Sequence, residues 1–89
     1  MKKNINIEET FVLAVKNHKN KNFHVAEDLY KKILEINPNS AGVHYNLGIL
    51  YKELEKNQKT INCYEKAIQI DPNYTQAHIN LGMVFEEIG

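Results

Sequence analysis

Arginine and tryptophan are absent from this sequence, cysteine occurs once as Cys63, and proline occurs only as Pro38 and Pro72. Without arginine, all eleven basic residues are lysines, so no planar fork is available to grip phosphate, carboxylate or guanine in two places. Eleven acidic residues cancel them to a net charge of zero, which removes the long-range field that draws a protein to nucleic acid or an anionic membrane. One cysteine makes no internal disulfide, so the chain fits a reducing compartment or is indifferent to redox, and a cytoplasmic location is expected. No stretch approaches the roughly eighteen apolar residues of a membrane span. The opening "MKKNINIEETFVLAV" has lysines where a secretory signal would have them, but Glu8 and Glu9 interrupt its apolar part, and no signal peptide is read. There is no glycine-rich phosphate loop, no Ser-His-Asp order and no CxxC pair. Nothing in the chain makes an enzyme, and neither a cofactor nor a metal is expected.

What the chain does have is repetition. "NPNSAGVHYNLG" (37–48) returns as "DPNYTQAHINLG" (71–82), with Pro38 and Pro72 thirty-four positions apart. Residues 7–40 overlay 41–74 without a gap, and 75–89 begin a third copy. A fixed period of this size marks stacked helical repeats, each burying its apolar face on its neighbours. Within the second copy, His44, Leu47, Gly48, Tyr51 and Leu54 share one face at i, i+3, i+4, i+7 spacing, and Ile61, Tyr64, Ala67 and Ile68 form a matching face on a second segment. Proline cannot occupy a helix interior, so Pro38 and Pro72 punctuate the copies. The spacing predicts five helices, over 8–19, 23–36, 41–54, 58–70 and 75–88. Ala14, Gly48 and Gly82 are small residues that let a partner helix approach, with Ala26 doing the same from the second helix of copy one. Thr60 stands at the place equivalent to Ala26, and its hydroxyl is expected to bond back to its own helix.

On Leu47-Gly48, Tyr51, Tyr64, Ala67 and Pro72, the chain resembles the tetratricopeptide repeat proteins over residues 7–89. That resemblance implies an all-α fold, an α-solenoid of stacked antiparallel helix pairs. The division it implies is an N-terminal tail at 1–6, a first repeat at 7–40, a second at 41–74, and at 75–89 the first helix of an incomplete third. Copy one departs from the family with Thr10 and Asn17 where aromatic residues are usual, and Glu55 stands where the inter-helix turn often has glycine.

Candidate chemistry divides by position. His44 and His78 recur in successive copies and are read as fillers of a half-buried aromatic slot rather than zinc ligands. His18 and His24 flank the lysine-rich turn "KNHKNKNFH", read as a solvated loop, with a weak site for an anion or acidic partner as the alternative. Cys63 is read as packing. Opposite the packing face of each first helix lie Phe11, Val12 and Val15, then Tyr45, Asn46, Ile49 and Lys52, then Ile79, Asn80 and Met83. Two readings of this strip stand: a partly self-buried groove floor, or a contiguous apolar patch that binds a peptide. Asn46 and Asn80 add an amide that offers both donor and acceptor to a peptide backbone. Their spacing resembles the asparagine ladders of O-linked N-acetylglucosamine transferase and bacterial proteins like it, although Val12 breaks the ladder in copy one. The carboxylate-clamp type is a poorer likeness, since only Asn46 matches it.

The expected function is a protein-interaction module that holds an extended peptide or partner helix in a groove built from Phe11, Val15, Tyr45, Asn46, Ile49, Lys52, Ile79, Asn80 and Met83. The rival is a self-assembling unit: Leu81, Val84, Phe85 and Ile88 on helix 75–88 lack the second helix that would cover them, and end-to-end homo-oligomers through that helix are expected. A third reading is the recognition arm of a larger enzyme such as a glycosyltransferase. Protein or peptide partners are expected, not nucleic acid or membrane.

Overall fold

The computed structural model describes residues 5–89, and all regular structure among them is α-helical: α1 (Ile7–Lys19), α2 (Phe23–Ile36), α3 (Ala41–Glu53), α4 (Asn57–Ile70) and α5 (Thr75–Ile88). The bounds lie within one residue of the spans that periodicity predicts. The helices form two compact units, one ending at Pro38 and one running Asn39–Gly89, and each is described by itself.

In the first unit, the side chain of Asn6 caps α1 by accepting the Glu9 backbone N–H at 3.1 Å. Glu8 and Glu9 in its first turn, and Lys16, His18 and Lys19 in its last, match the helix dipole at both ends. The helix stops where Lys21 turns left-handed at φ 65. There the Lys21 N–H returns to the His18 carbonyl at 3.0 Å and the Asn22 N–H to the Asn17 carbonyl at 2.8 Å, the two bonds that close a helix C-terminus. So short a turn sends α2 back antiparallel to α1. Ala14 and Ala26 are wholly buried, and Phe11 and His18 pack on buried Tyr30 with ring centroids 6.2 and 6.4 Å away. Thr10 and Asn17, in slots where the resemblance expects aromatic residues, bond to the backbone one turn earlier, at Asn6 and Leu13.

The second unit repeats the device with other residues. Ser40 caps α3 through the Val43 N–H at 3.4 Å. Glu55 supplies the left-handed residue at φ 58, and Glu55 and Lys56 return their N–H groups to Lys52 and Tyr51 at 3.0 and 2.9 Å. Close approach of α4 to α3 depends on Gly48, since a Cβ there would lie 2.6 Å from the Tyr64 ring and 3.2 Å from the Cys63 Cβ. Thr60, fully buried, donates its hydroxyl to the Lys56 carbonyl at 3.1 Å, the back-bond its position called for. After α4, Asp71 accepts the Asn73 N–H at 3.1 Å across Pro72, and α5 follows.

Val84 departs from the expectation that it belongs to an uncovered face. It is 1% exposed and joins Ile61 and Tyr64 in the core, with Tyr45, Ile49 and Leu81 packed around them. The reason is phase. Val84 lies seven residues, two turns, after the fully buried Ala77, so the pair forms the stripe that α5 sets against α4. Phe85 and Ile88 fall off that stripe and are exposed.

Candidate functional site

A hydrogen bond and an ion pair link side chains of α3 to side chains of α5. The Asn80 amide donates to the Tyr45 hydroxyl at 3.2 Å, and the Lys52 ammonium meets the Glu87 carboxylate at 2.6 Å. Both link residues thirty-five apart, and both advance by seven positions along each helix. Helices joined in this way run in the same direction, with their C-terminal ends side by side.

Between these contacts lies a cavity of about 260 Å³, lined by Ile49, Lys52, Glu53, Tyr64, Asn80, Met83, Val84 and Glu87. Tyr64 and Val84, both nearly inaccessible, form its floor, and Ile49 and the half-exposed Met83 its apolar walls. Asn80 and Glu87 are seven residues apart on α5, so amide and ion pair stand about 10 Å apart along the helix. The cavity thus has an amide end and a charged end.

Asn80 also hydrogen-bonds the Tyr64 hydroxyl, so two phenols hold its side chain in place. Burial raises the Tyr64 pKa above the ordinary 10.0, against a lowering by the Asn80 hydrogen bond. Tyr74 is raised too, first by burial and then by Tyr45 and Asp71. The Tyr45 ring lies between the other two phenols, 5.8 Å from Tyr64 and 5.0 Å from Tyr74.

Of the groove residues read from the sequence, Ile49, Lys52, Asn80 and Met83 line this cavity. Tyr45 stands at its amide end, while Ile79 is half exposed on α5 outside the lining. Asn46 donates to the Gly42 carbonyl of its own helix at 2.8 Å, so the two asparagines have different partners. Phe11 and Val15 belong to the first unit, where both are half-buried. Sequence reasoning left Tyr64 and Val84 out of the groove, and it did not choose Glu53 and Glu87 as groove residues although helical phase puts both on the same concave face. The common offset of Lys52–Glu87 and Tyr45–Asn80 was the signal for Glu87; for the floor residues, packing periodicity gave no sign that they also face a cavity. His78 is exposed and bonds the Pro72 carbonyl at 2.8 Å, unlike the half-buried His44, and Cys63 is half-buried. No cluster of three or more metal-ligating side chains occurs among the described residues, and no described helix is long and apolar enough to cross a membrane.

The helix pair α3–α4 with the connection to α5 decides the likeness. Residues 41–74 match the tetratricopeptide repeat. The solved structures agree: a crystal structure of MamA superposes with a TM-score of 0.89 at 28% identity, covering 93% of this chain and 48% of that one. A second crystal structure of the MamA protein gives a TM-score of 0.85 at 28% identity, covering 90% and 44%. This chain therefore spans about half the length of the MamA chains it matches. No curated protein matches it in sequence. The fold is that of the all-α helical repeats, and the tetratricopeptide likeness supports a protein-interaction or scaffolding role.

Proposed function

We propose that the chain is a non-enzymatic protein-interaction module whose α3–α5 cavity seats one apolar side chain of a partner segment, with the Asn80 amide offered to that segment's backbone. The cavity carries this reading. Its 260 Å³ lies below the roughly 300–1,000 Å³ of small-molecule sites, yet it has an apolar interior and an oriented amide at one end. The pairing of Asn46 and Asn80 with a peptide backbone, after the glycosyltransferase-type ladder, belongs to the same proposal, with the Asn46 carbonyl oxygen and its second N–H serving the peptide while the first N–H stays on the Gly42 carbonyl. Selection of displayed peptides against the chain tests the reading, followed by binding of the selected peptides to Met83→Glu. Met83 is half exposed, so the substitution leaves the fold intact while charging the cavity wall. Loss of binding supports the proposal; peptides that bind both proteins equally place the site elsewhere.

One observation favours a second reading, self-association through α5. Gly82 repeats Gly48, but a Cβ at Gly82 meets nothing within 4 Å, whereas at Gly48 the Tyr64 ring fills that place. Phe85, 48% exposed, and Ile88, 50% exposed, flank an open slot of the kind that receives an aromatic ring. Leu81 borders them but leans on the core, and Val84, being core, drops out of this surface. Light scattering across concentration on the wild type and Phe85→Glu tests it: an oligomer that the variant loses supports it, and a monomer at high concentration refutes it.

A further inference from the structure

We infer that the open face of α5 around Gly82 binds an amphipathic helix of a partner protein, which lies across α5 as α4 lies across α3 and sets an aromatic ring on Gly82. This rests on the slot that the self-association reading also uses, and it names a different occupant. It is independent of the α3–α5 cavity, because helical phase puts Gly82 and Phe85 on the side of α5 opposite Asn80, Met83 and Glu87. The chain carries its own template for the contact. Leu47, Gly48 and Tyr51 of α3 recur thirty-four positions later as Leu81, Gly82 and Phe85 of α5. On α3 all three are buried, and α4 supplies the Tyr64 ring that fills the space a Cβ at Gly48 would need. On α5, Leu81 is half-buried, Gly82 and Phe85 are exposed, and a Cβ at Gly82 would meet no atom within 4 Å. The same surface is sealed in one copy and bare in the next.

The helices that cover such a face define the occupant. α2 packs on α1 and α4 on α3. Each presents a small residue, a tyrosine four positions on, and an aliphatic residue three further: Ala26, Tyr30 and Ile33 in α2, Thr60, Tyr64 and Ala67 in α4. All six are at most 2% exposed. The partner is therefore a helix with this small, aromatic, aliphatic stripe on one side and polar residues on the other, recognised as a helix laid in a groove. An intact second copy does not offer one, since both of its tyrosine stripes are already covered. Glycine at position 82 makes the room. A methyl at Gly48 would lie 2.6 Å from the Tyr64 ring, so a methyl at Gly82 blocks a ring that arrives in the same way.

The test uses the α4 sequence itself as probe, a blocked peptide of residues 57–70 held helical by a lactam between Gln58→Lys and Asn62→Asp. Those two positions are exposed, and their side chains already meet at 3.1 Å. Under reducing conditions the peptide is titrated into the isotope-labelled 89-residue chain and followed through the Gly82 and Gly48 amides and the Phe85 ring. Binding moves Gly82 and Phe85 and leaves Gly48 still. Tyr64→Ala in the peptide weakens binding about tenfold or more, the loss expected for one buried ring. Gly82→Ala in the chain weakens it about five- to hundredfold by overpacking, although the methyl meets nothing in the free chain and leaves its fold intact. Equal binding to wild type and Gly82→Ala, or of the tyrosine and alanine peptides, overturns the inference. Shifts at Gly48 mean that the peptide has displaced α4, and shifts at Asn80 and Met83 that it has entered the cavity; either overturns it. If no signal moves at about 1 mM peptide the inference falls, while an oligomer that Phe85→Glu dissolves leaves the self-association reading standing.

Discussion

Replacing each of two equivalent glycines by alanine has opposite consequences in this fold. Gly48 and Gly82 occupy the same place in successive copies, inside α3 and α5. Alanine in a helix interior is worth about 0.5–1 kcal/mol over glycine, because the glycine chain loses more freedom on folding. At Gly82 that gain is unopposed, since the new methyl meets no atom within 4 Å. At Gly48 the methyl would sit 2.6 Å and 2.7 Å from two ring carbons of Tyr64. That ring is 2% exposed and wedged among Tyr45, Ile61 and Val84, so it cannot swing aside, and the helices must part. Forced overpacking costs about 1–3 kcal/mol, which leaves Gly48→Ala destabilised by up to about 2.5 kcal/mol after the helix gain. Thermal unfolding by circular dichroism separates the two, at about 4–8 °C per kcal/mol for a domain of this size: Gly82→Ala melts a few degrees above the wild type and Gly48→Ala well below it. Shifts of the same sign and size in both variants would refute the packing of Tyr64 on Gly48.

Three further outcomes follow from the geometry. Glu55→Gly relieves a left-handed backbone at φ 58 that costs a side-chain-bearing residue about 1 kcal/mol, so urea denaturation should show a gain of up to that amount; a loss would mean that the Glu55 side chain holds the turn. Tyr64 and Tyr74 both have folded pKa values raised above 10.0, so the neutral phenols stabilise the fold; that contribution is complete below pH 10 and disappears as pH rises through the raised values. Phenolate absorbance should therefore show a late-titrating component that shrinks in Tyr64→Phe, and its absence would contradict the burial of these rings. Val84→Ala, which empties core, should cost about 2 kcal/mol in the same denaturation assay while Ile88→Ala costs under about 0.5; similar losses at both would restore Val84 to the uncovered face.

Local pattern carried most of the fold. Apolar spacing within each helix, and Pro38 and Pro72 between copies, are signals confined to a few neighbouring residues, and the helices begin and end where those signals place them. The left-handed turns were harder to read, because Lys21 and Glu55 are not the glycine such positions favour; only backbone hydrogen bonding reveals that they close α1 and α3. Surface and core on α5 were less legible still. Leu81, Val84, Phe85 and Ile88 look alike as letters, and only the angle at which α4 meets α5 makes Val84 core and leaves Phe85 in water. Asn46 and Asn80 likewise share a repeat position yet differ in partner, since hydrogen bonding depends on what lies across the groove rather than on spacing along the chain.

The shared offset of Tyr45–Asn80 and Lys52–Glu87 constrains how such a chain tolerates insertion and deletion. One residue added to the connection at 71–74 would have to be absorbed by that connection alone or turn α5 by about 100° about its axis, and such a turn breaks both contacts and lifts Val84 out of the core. A block of thirty-four residues, in contrast, returns every side chain to the same bearing. Lengthening by whole repeats is therefore mild and lengthening by single residues between α4 and α5 is severe, which makes the repeat, rather than the residue, the natural unit in which this architecture gains or loses length.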